Sequence, residues 1–156
     1  MRLVFLFATI FVISTTIVMG QNACPVNFGH KNLIEAQKNI KAWSGRIVAF
    51  NAKVLEVENG YQDKPYYKVE MDDGGQLWVG TLLTSGYEVI GKKLRILGYF
   101  SEVGNDEIAL KYNKNNFHIL AFAVIDLESK QMSVFPGAKR DVADWVEGKM
   151  PMAHKR

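Results

Sequence analysis

Two large aromatic residues lie on the polar side of an alternating apolar–polar pattern in neighbouring segments of this chain. Tyr66 and Trp78 point away from the side that Tyr67 and Val79 would fill, because successive side chains of a strand face opposite ways. Aromatic rings facing water in a sheet indicate a ligand surface, and they stack on nucleic-acid bases, sugar rings or peptide side chains. The alternative is that another segment of the same chain covers both rings.

No arrangement of residue types indicates catalysis. Asp72 and Asp73 are adjacent and would project to opposite sides of a strand, whereas a nuclease metal site needs clustered carboxylates. His30, His118 and His154 show no metal-ligand spacing, and His118 is better interpreted as a buried histidine than as a base. The sequence has no glycine-rich phosphate loop and no nucleophile elbow. We therefore expect a non-enzymatic protein without a metal or a cofactor.

The composition fits one ordinary globular domain. The chain has 156 residues, of which 48% are hydrophobic and 22% charged. Its formal net charge is +3, which becomes about +2 if Arg2 is removed with a leader segment. A charge this small does not by itself indicate a polyanionic partner.

The first twenty residues have the pattern of a secretory signal. Arg2 precedes an uncharged apolar run over residues 3–19, which ends at Gly20. We predict cleavage after Gly20, a flexible segment over residues 21–31, and an exported protein, periplasmic or secreted. An uncleaved anchor is the alternative, because spans of about 17–25 apolar residues cross a bilayer.

The only cysteine, Cys24, cannot form a disulfide within the chain. Its lipidation is the second alternative for the N-terminus. Bacterial lipoprotein signals carry a leucine-like residue three places before the cysteine and small residues between, and here only Ala23 fits. The pattern favours an incidental thiol, so lipidation of Cys24 is the weaker interpretation.

Alternation between Gly45 and Asp126 predicts a small closed β-barrel of five short strands. The apolar residues change face after Val54, as a β-bulge or bend produces. Asp73-Gly74-Gly75 is a strong hairpin signal between the second and third strands. The five segments span residues 46–57, 65–72, 76–81, 93–100 and 117–126.

Other segments complete a single domain over residues 32–148. The fifth strand is apolar on both faces and needs a cover beyond the barrel core. Helices on either side of the barrel would supply that cover. They are predicted over residues 32–43 and between Gly137 and Gly148, with a polar loop over 102–116, a short extra strand over 132–135 and a basic tail over 149–156.

Two stretches resemble the oligonucleotide/oligosaccharide-binding (OB) fold. They are the hairpin over residues 65–79 and the glycine turn with its strand over 90–99. The resemblance covers about residues 44–126. Within it, the chain is similar in particular to exported bacterial OB-domain proteins to which nucleic-acid binding is attributed. SH3-like barrels share this alternation of apolar and polar residues. The OB resemblance implies a mainly β, five-stranded Greek-key barrel, which the predicted N-terminal and C-terminal helices would cap.

In the OB fold, ligands lie across the outer face of the second and third strands, between the loops after the first and fourth. The resemblance therefore implies an exported binding protein for single-stranded nucleic acid or oligosaccharide. The alternative is a protein-interaction or assembly module of the cell envelope. The implied ligand residues are Tyr66, Lys68, Gln76 and Trp78 on the face, Tyr61 and Lys64 in one loop, Lys111 and Lys114 in the other, and Arg95, which would extend the face or lie on the far side.

Overall fold

The computed structural model describes residues 26–138. The predicted signal segment, Cys24, the last helix and the basic tail lie outside the described residues, and so do residues 21–25 of the predicted flexible segment. Residues 26–31 of that segment are instead ordered, with a two-residue strand at Val26–Asn27 and the first helix from His30. No helix within residues 26–138 is both long and apolar enough to cross a membrane.

The described part of the chain consists of seven β-strands, three short α-helices and two 3₁₀ turns. In chain order these are β1 (Val26–Asn27), α1 (His30–Lys38), α2 (Ile40–Trp43), β2 (Ile47–Asn59), a 3₁₀ turn (Tyr61–Asp63), β3 (Pro65–Met71), β4 (Gln76–Thr81), β5 (Lys93–Glu102), α3 (Glu107–Tyr112), β6 (Phe117–Asp126), β7 (Met132–Val134) and a second 3₁₀ turn (Pro136–Ala138). The five predicted barrel strands correspond to β2–β6, and their ends agree to within two residues.

Strands β2–β6 close into a barrel. Their order is β2-β3-β4-β6-β5, and β5 pairs back onto β2. The β4–β6 pair is parallel and the other barrel pairs are antiparallel. This is the strand order of the OB fold, so the predicted fold class is confirmed. The short β1 and β7 add to β2 and β6 respectively.

A bulge in β2 bends this long strand, so that it pairs with β5 along its first half and with β3 along its second half. The pairs with β5 run from Ile47 to Lys53. The register against β3 shifts between Val54 and Glu56, where the apolar pattern changes face. The predicted bend in the first strand is therefore confirmed.

The main hydrophobic core fills the barrel. Inward-facing side chains such as Tyr67, Val79 and Ile119 have no exposed surface. A second apolar cluster lies outside the barrel around Leu97 and Ala123, packed with Val134 of β7. Strand β6 is thus buried on both faces, as its sequence indicates.

The N-terminal helix differs from its prediction in where it starts and in being two helices. Helix α1 begins after Gly29, and the Asn32 side chain accepts a hydrogen bond from the Gly29 N–H at 3.1 Å. The chain breaks at Asn39, whose side chain accepts from the Ala42 N–H at 3.2 Å and so caps α2. Asparagine competes in this way with the helical backbone. The pair still packs Leu33, Ala36 and Trp43 against the core.

The predicted polar loop over residues 102–116 is wrong, because it contains α3. Asp106 Oδ1 accepts hydrogen bonds from the N–H groups of Ile108 and Ala109, at 3.0 and 3.1 Å. This N-cap satisfies two of the donors that a helix start leaves unpaired. The helix that results lies over the outer face of β3 and β4.

A candidate binding cleft beside a covered aromatic pair

Tyr66 and Trp78 lie on the outer face of the barrel, as their pleat parity predicts. Tyr66 is opposite Gly80 and Trp78 is opposite Lys68 in the β3–β4 ladder. The two aromatic rings stack with centroids 5.0 Å apart and planes 10° apart. They form a cluster separate from the main core.

The expectation that these rings face solvent is wrong. Tyr66 is 4% exposed and Trp78 is 7% exposed. Val103 and Ala109 are buried against them, and the Tyr112 ring lies 5.9 Å from the Trp78 ring. Apolar surface removed from water contributes about 25 cal/mol per Å², which favours packing α3 onto the exposed rings. We call Tyr66 and Trp78 the covered aromatic cluster, and it is not an open docking surface.

Hydrogen bonds satisfy the polar atoms beneath α3. Asn113 Nδ2 donates to Tyr66 Oη at 3.1 Å and to the Phe117 carbonyl at 2.7 Å. The His118 Nδ1 lies 3.3 Å from the same Tyr66 Oη. Burial raises the pKa of Tyr66 and lowers the pKa of His118 to about 4. His118 is thus a neutral, buried histidine at neutral pH, which confirms its interpretation from the sequence.

An open cleft of about 230 Å³ lies next to this cluster. We call it the Tyr61 cleft, after the residue at its rim, which is 66% exposed. Its lining residues are Tyr61, Gln62, Lys64, Pro65, Gly80, Thr81, Leu82, Asp106, His118 and Leu120. It continues into a hollow lined by Tyr61, Asn105, Asp106, Glu107 and Ile108. The loop after β2 and the segment after β5 therefore flank one cleft, as the OB resemblance implies.

Local hydrogen bonds shape the loop that carries Tyr61. Gln62 and Asp63 adopt left-handed backbone conformations, with φ of 55° and 58°. The Asn59 side chain donates to Asp63 Oδ1 at 3.0 Å, and the Lys64 N–H donates to the Tyr61 carbonyl at 3.2 Å. Non-glycine residues in this conformation are uncommon and concentrate at functional sites.

The charges around the Tyr61 cleft are mixed. Lys64 is the one cation among the lining residues of the cleft and its hollow, where Asp106 and Glu107 are anions. Neutral His118 adds no charge at neutral pH. The cleft thus offers an aromatic ring and polar groups without a positive field.

Several predicted ligand residues are engaged elsewhere on the outer face. Lys68 Nζ lies 3.2 Å from Glu56 Oε1 in an ion pair, and Gln76 Nε2 donates to Glu70 Oε1 at 3.3 Å. The Lys111 ammonium lies 4.8 Å from the centre of the Tyr112 ring, while Lys114 is exposed. None of these four predicted residues lines the Tyr61 cleft.

Arg95 lies at a different site. It is opposite Asn51 in the β2–β5 ladder, and it lines a second cleft with Asn51, Lys31 and Asp73. Asp73 belongs to the turn between β3 and β4, so this second cleft lies at the hairpin end of those strands. Arg95 is not part of the Tyr61 cleft.

Sequence reasoning missed the cleft residues Asp106 and Gly80. The available signal for Asp106 was its position before Ile108-Ala109-Leu110, since aspartate before an apolar run marks a helix start. Gly80 gave no signal, because its role depends on the ladder that places it opposite Tyr66. Within residues 26–138, no three His, Cys, Asp or Glu side chains come together as a metal site.

Comparison with known proteins gives the chain no family. No protein-family model matches it, and no curated protein matches it. Among solved structures, it is similar to a chain of a replication protein A heterotrimer bound to single-stranded DNA, with 17% identity, a TM-score of 0.36, and coverage of 66% of this chain and 67% of that chain. So distant a likeness says nothing about the ligand. The OB fold of this chain follows from the order and closure of its own five strands.

Proposed function

We propose that this chain is a non-enzymatic OB-type binding protein that holds an extended polymer in the Tyr61 cleft. The observation that supports this most is an exposed aromatic ring at the rim of a polar cleft between two flanking segments. Binding sites on proteins are concave and combine apolar contact with a few placed polar groups. The OB fold binds its ligands between the corresponding loops.

The chemistry of the cleft favours an oligosaccharide. Sugar hydroxyls both donate and accept hydrogen bonds, and the apolar face of a sugar ring can stack on Tyr61. Gln62 and Lys64 supply donors in the lining. Asp106 Oδ1 already accepts two backbone hydrogen bonds, but a carboxylate has about four acceptor sites, which leaves capacity for a hydroxyl. The proposed export of the chain agrees with such a ligand.

Single-stranded nucleic acid is the second candidate. Lys64 lines the cleft, and Lys111 and Lys114 lie outside its lining in the segment between β5 and β6. Binding of single strands combines stacking with neutralised phosphates. Asp106 and Glu107 in the lining oppose a phosphate backbone, which is why this candidate comes second.

Calorimetric titration with cellohexaose, chitohexaose and a 20-nucleotide oligothymidine tests both candidates. We expect binding of an oligosaccharide that Tyr61→Ala weakens about threefold to tenfold, because an aromatic contact contributes about 0.5–1.5 kcal/mol. Ile90→Ala is the matched control, since Ile90 is 67% exposed against 66% for Tyr61 and lies outside the cleft lining.

Binding that is unchanged by Tyr61→Ala would refute the proposed site. Binding of oligothymidine alone would assign nucleic acid instead, provided that its log affinity falls with log salt by about 0.7 per phosphate contacted. If neither polymer binds, the envelope-assembly alternative is the one to pursue.

A further inference from the structure

The segment that shields the covered aromatic cluster takes no part in the strand ladders of the barrel. Glu102 of β5 is opposite Phe117 of β6, and the Val103 N–H donates to the Asn116 carbonyl at 3.0 Å. Residues 103–116 therefore leave and re-enter the sheet at one point. We call residues 103–116 the cover segment. Its displacement would leave the strand ladders intact.

The cover segment is attached through three buried residues, Val103, Ala109 and Asn113, and its other residues are at least partly exposed. Its helix α3 has six residues, and helices this short are unstable in water without packing. Within α3, Ala109 is the buried residue, while Leu110 is 45% exposed. The polar attachment at its C-terminal end consists of the two hydrogen bonds donated by Asn113. A short helix held in this way belongs to the least stable part of a fold.

The Tyr61 cleft leads directly to the cluster that this segment covers. Gly80 and His118 line the cleft and also border Tyr66. A Cβ at Gly80 would lie 3.2 Å from Leu120 and 3.6 Å from Tyr66, so the cleft floor and the aromatic ring are in close contact. Asp106, which caps α3, lies at the same boundary. A polymer that fills the cleft and continues along the sheet reaches the cover segment next.

Tyr112 occupies the position over Trp78 that a ligand ring would need. Its ring lies 5.9 Å from that of Trp78 at an angle of 34°, within the usual range of about 4.5–7 Å for ring pairs. Trp78 also stacks on Tyr66, with ring centroids 5.0 Å apart. Tyr112 is half-buried, so its removal from the cluster costs less than removal of a core residue.

We propose that the cover segment is a displaceable occupant of a second ligand subsite. In the closed form, Tyr112 packs against Trp78; when an oligosaccharide extends beyond the Tyr61 cleft, one of its sugar rings replaces Tyr112. The ligand class in this inference rests on the proposed function, whereas the opening of the cover segment does not.

Hydrogen exchange of the ligand-free chain, followed by NMR, tests the opening. We expect the Leu110 and Asn113 amides, which are bonded within the cover segment, to exchange much faster than the amides of β3 and β4. Trp43 and Trp78 are both 7% exposed, so the Trp43 indole is a matched control. The Trp78 indole should exchange faster than the Trp43 indole, and Tyr112→Ala should accelerate Trp78 alone. Equal protection of all these groups would overturn the inference.

Titration of Tyr112→Ala with chitohexaose and cellohexaose tests the competition. We expect about two- to tenfold tighter binding, the equivalent of one lost aromatic contact. Leu110→Ala in the same helix is the control and should bind as the unsubstituted chain does. Unchanged or weaker binding by Tyr112→Ala would overturn the inference. If neither the unsubstituted chain nor the variants bind either oligosaccharide, the proposed function and the ligand class are refuted. Hydrogen exchange of the ligand-free chain would still show whether the cover segment opens.

Discussion

For Tyr66 and Trp78, the direction of the side chain depends on the residue's own strand, but its solvent exposure does not. Their direction follows from the two-residue period of the pleat, and the structure places both rings outside the barrel core. Their exposure depends on what lies above them. Ala109 and Tyr112 of the cover segment cover both rings and so set their low solvent exposure. The sequence of β3 and β4 holds no information about that segment.

Asn113 should be the residue of the cover segment that matters most for stability. Asn113→Ala leaves Tyr66 Oη and the Phe117 carbonyl without this donor, and an unsatisfied buried polar group costs about 1–3 kcal/mol. Urea denaturation should show a loss of this size in the free energy of unfolding. Lys114→Ala, at an exposed neighbouring position, is the control. A loss below about 0.5 kcal/mol, typical of surface substitutions, would contradict the hydrogen-bond assignment.

His118 should make the fold less stable in mild acid. Burial lowers its pKa in the folded state to about 4, against about 6.5 in the unfolded chain. Between these values the unfolded state binds the proton first, so stability falls as the pH drops from about 6.5 to about 4 and the loss is complete below that. The maximum loss is about 3 kcal/mol.

Denaturation at a series of pH values measures this effect. Asp126, whose pKa Lys92 lowers to about 2, loses its contribution only between about 3.8 and 2, at lower pH. We expect His118→Gln to flatten the profile between pH 6.5 and 4. A profile that keeps its slope in this variant would show that another group is responsible.

At the scale of elements, the strands and the N-terminal helical region were predictable, whereas α3 was not. Alternation over six or more residues identifies a strand and its buried face, and the change of face after Val54 located the bulge in β2. A six-residue helix such as α3 shows less than two turns of periodicity, too little for a pattern. Asn39 similarly divides what reads as one helix into two.

Asp106 should control the stability of α3 separately from the barrel. Asp106→Ala removes the acceptor of two backbone hydrogen bonds, and loss of an N-cap costs about 0.5–2 kcal/mol of helix stability. Amide exchange in α3 should accelerate while exchange in β2–β6 stays the same. Glu107→Ala, which changes a neighbouring carboxylate outside the cap, is the control. Equal acceleration in both variants would contradict the role of Asp106.

At the scale of the whole molecule, barrel closure creates the candidate site. The parallel β4–β6 pair brings together two segments that are 45 residues apart in sequence, at Tyr61 and Asp106. The sequence predicted these flanking segments only through the OB resemblance. It left open whether Arg95 extends the outer face, and the structure places Arg95 at another cleft.

The proposed export concerns the whole chain and is tested on it directly. Expression in a bacterial host, followed by intact-mass measurement of the envelope and medium fractions, should give a chain that begins at Gln21. A lipid mass on Cys24 would favour the lipoprotein alternative. A chain that keeps residues 1–20 in the membrane fraction would favour the uncleaved anchor.

Chemical-shift mapping with chitohexaose and cellohexaose is the most direct measurement of the central claim, that the Tyr61 cleft is the binding site. Resonances of Tyr61, Lys64 and Asp106 should shift with saturation, while those of Asn51 and Arg95 at the other cleft stay in place. Shifts confined to the Asn51–Arg95 cleft, or no shifts at all, would contradict the account.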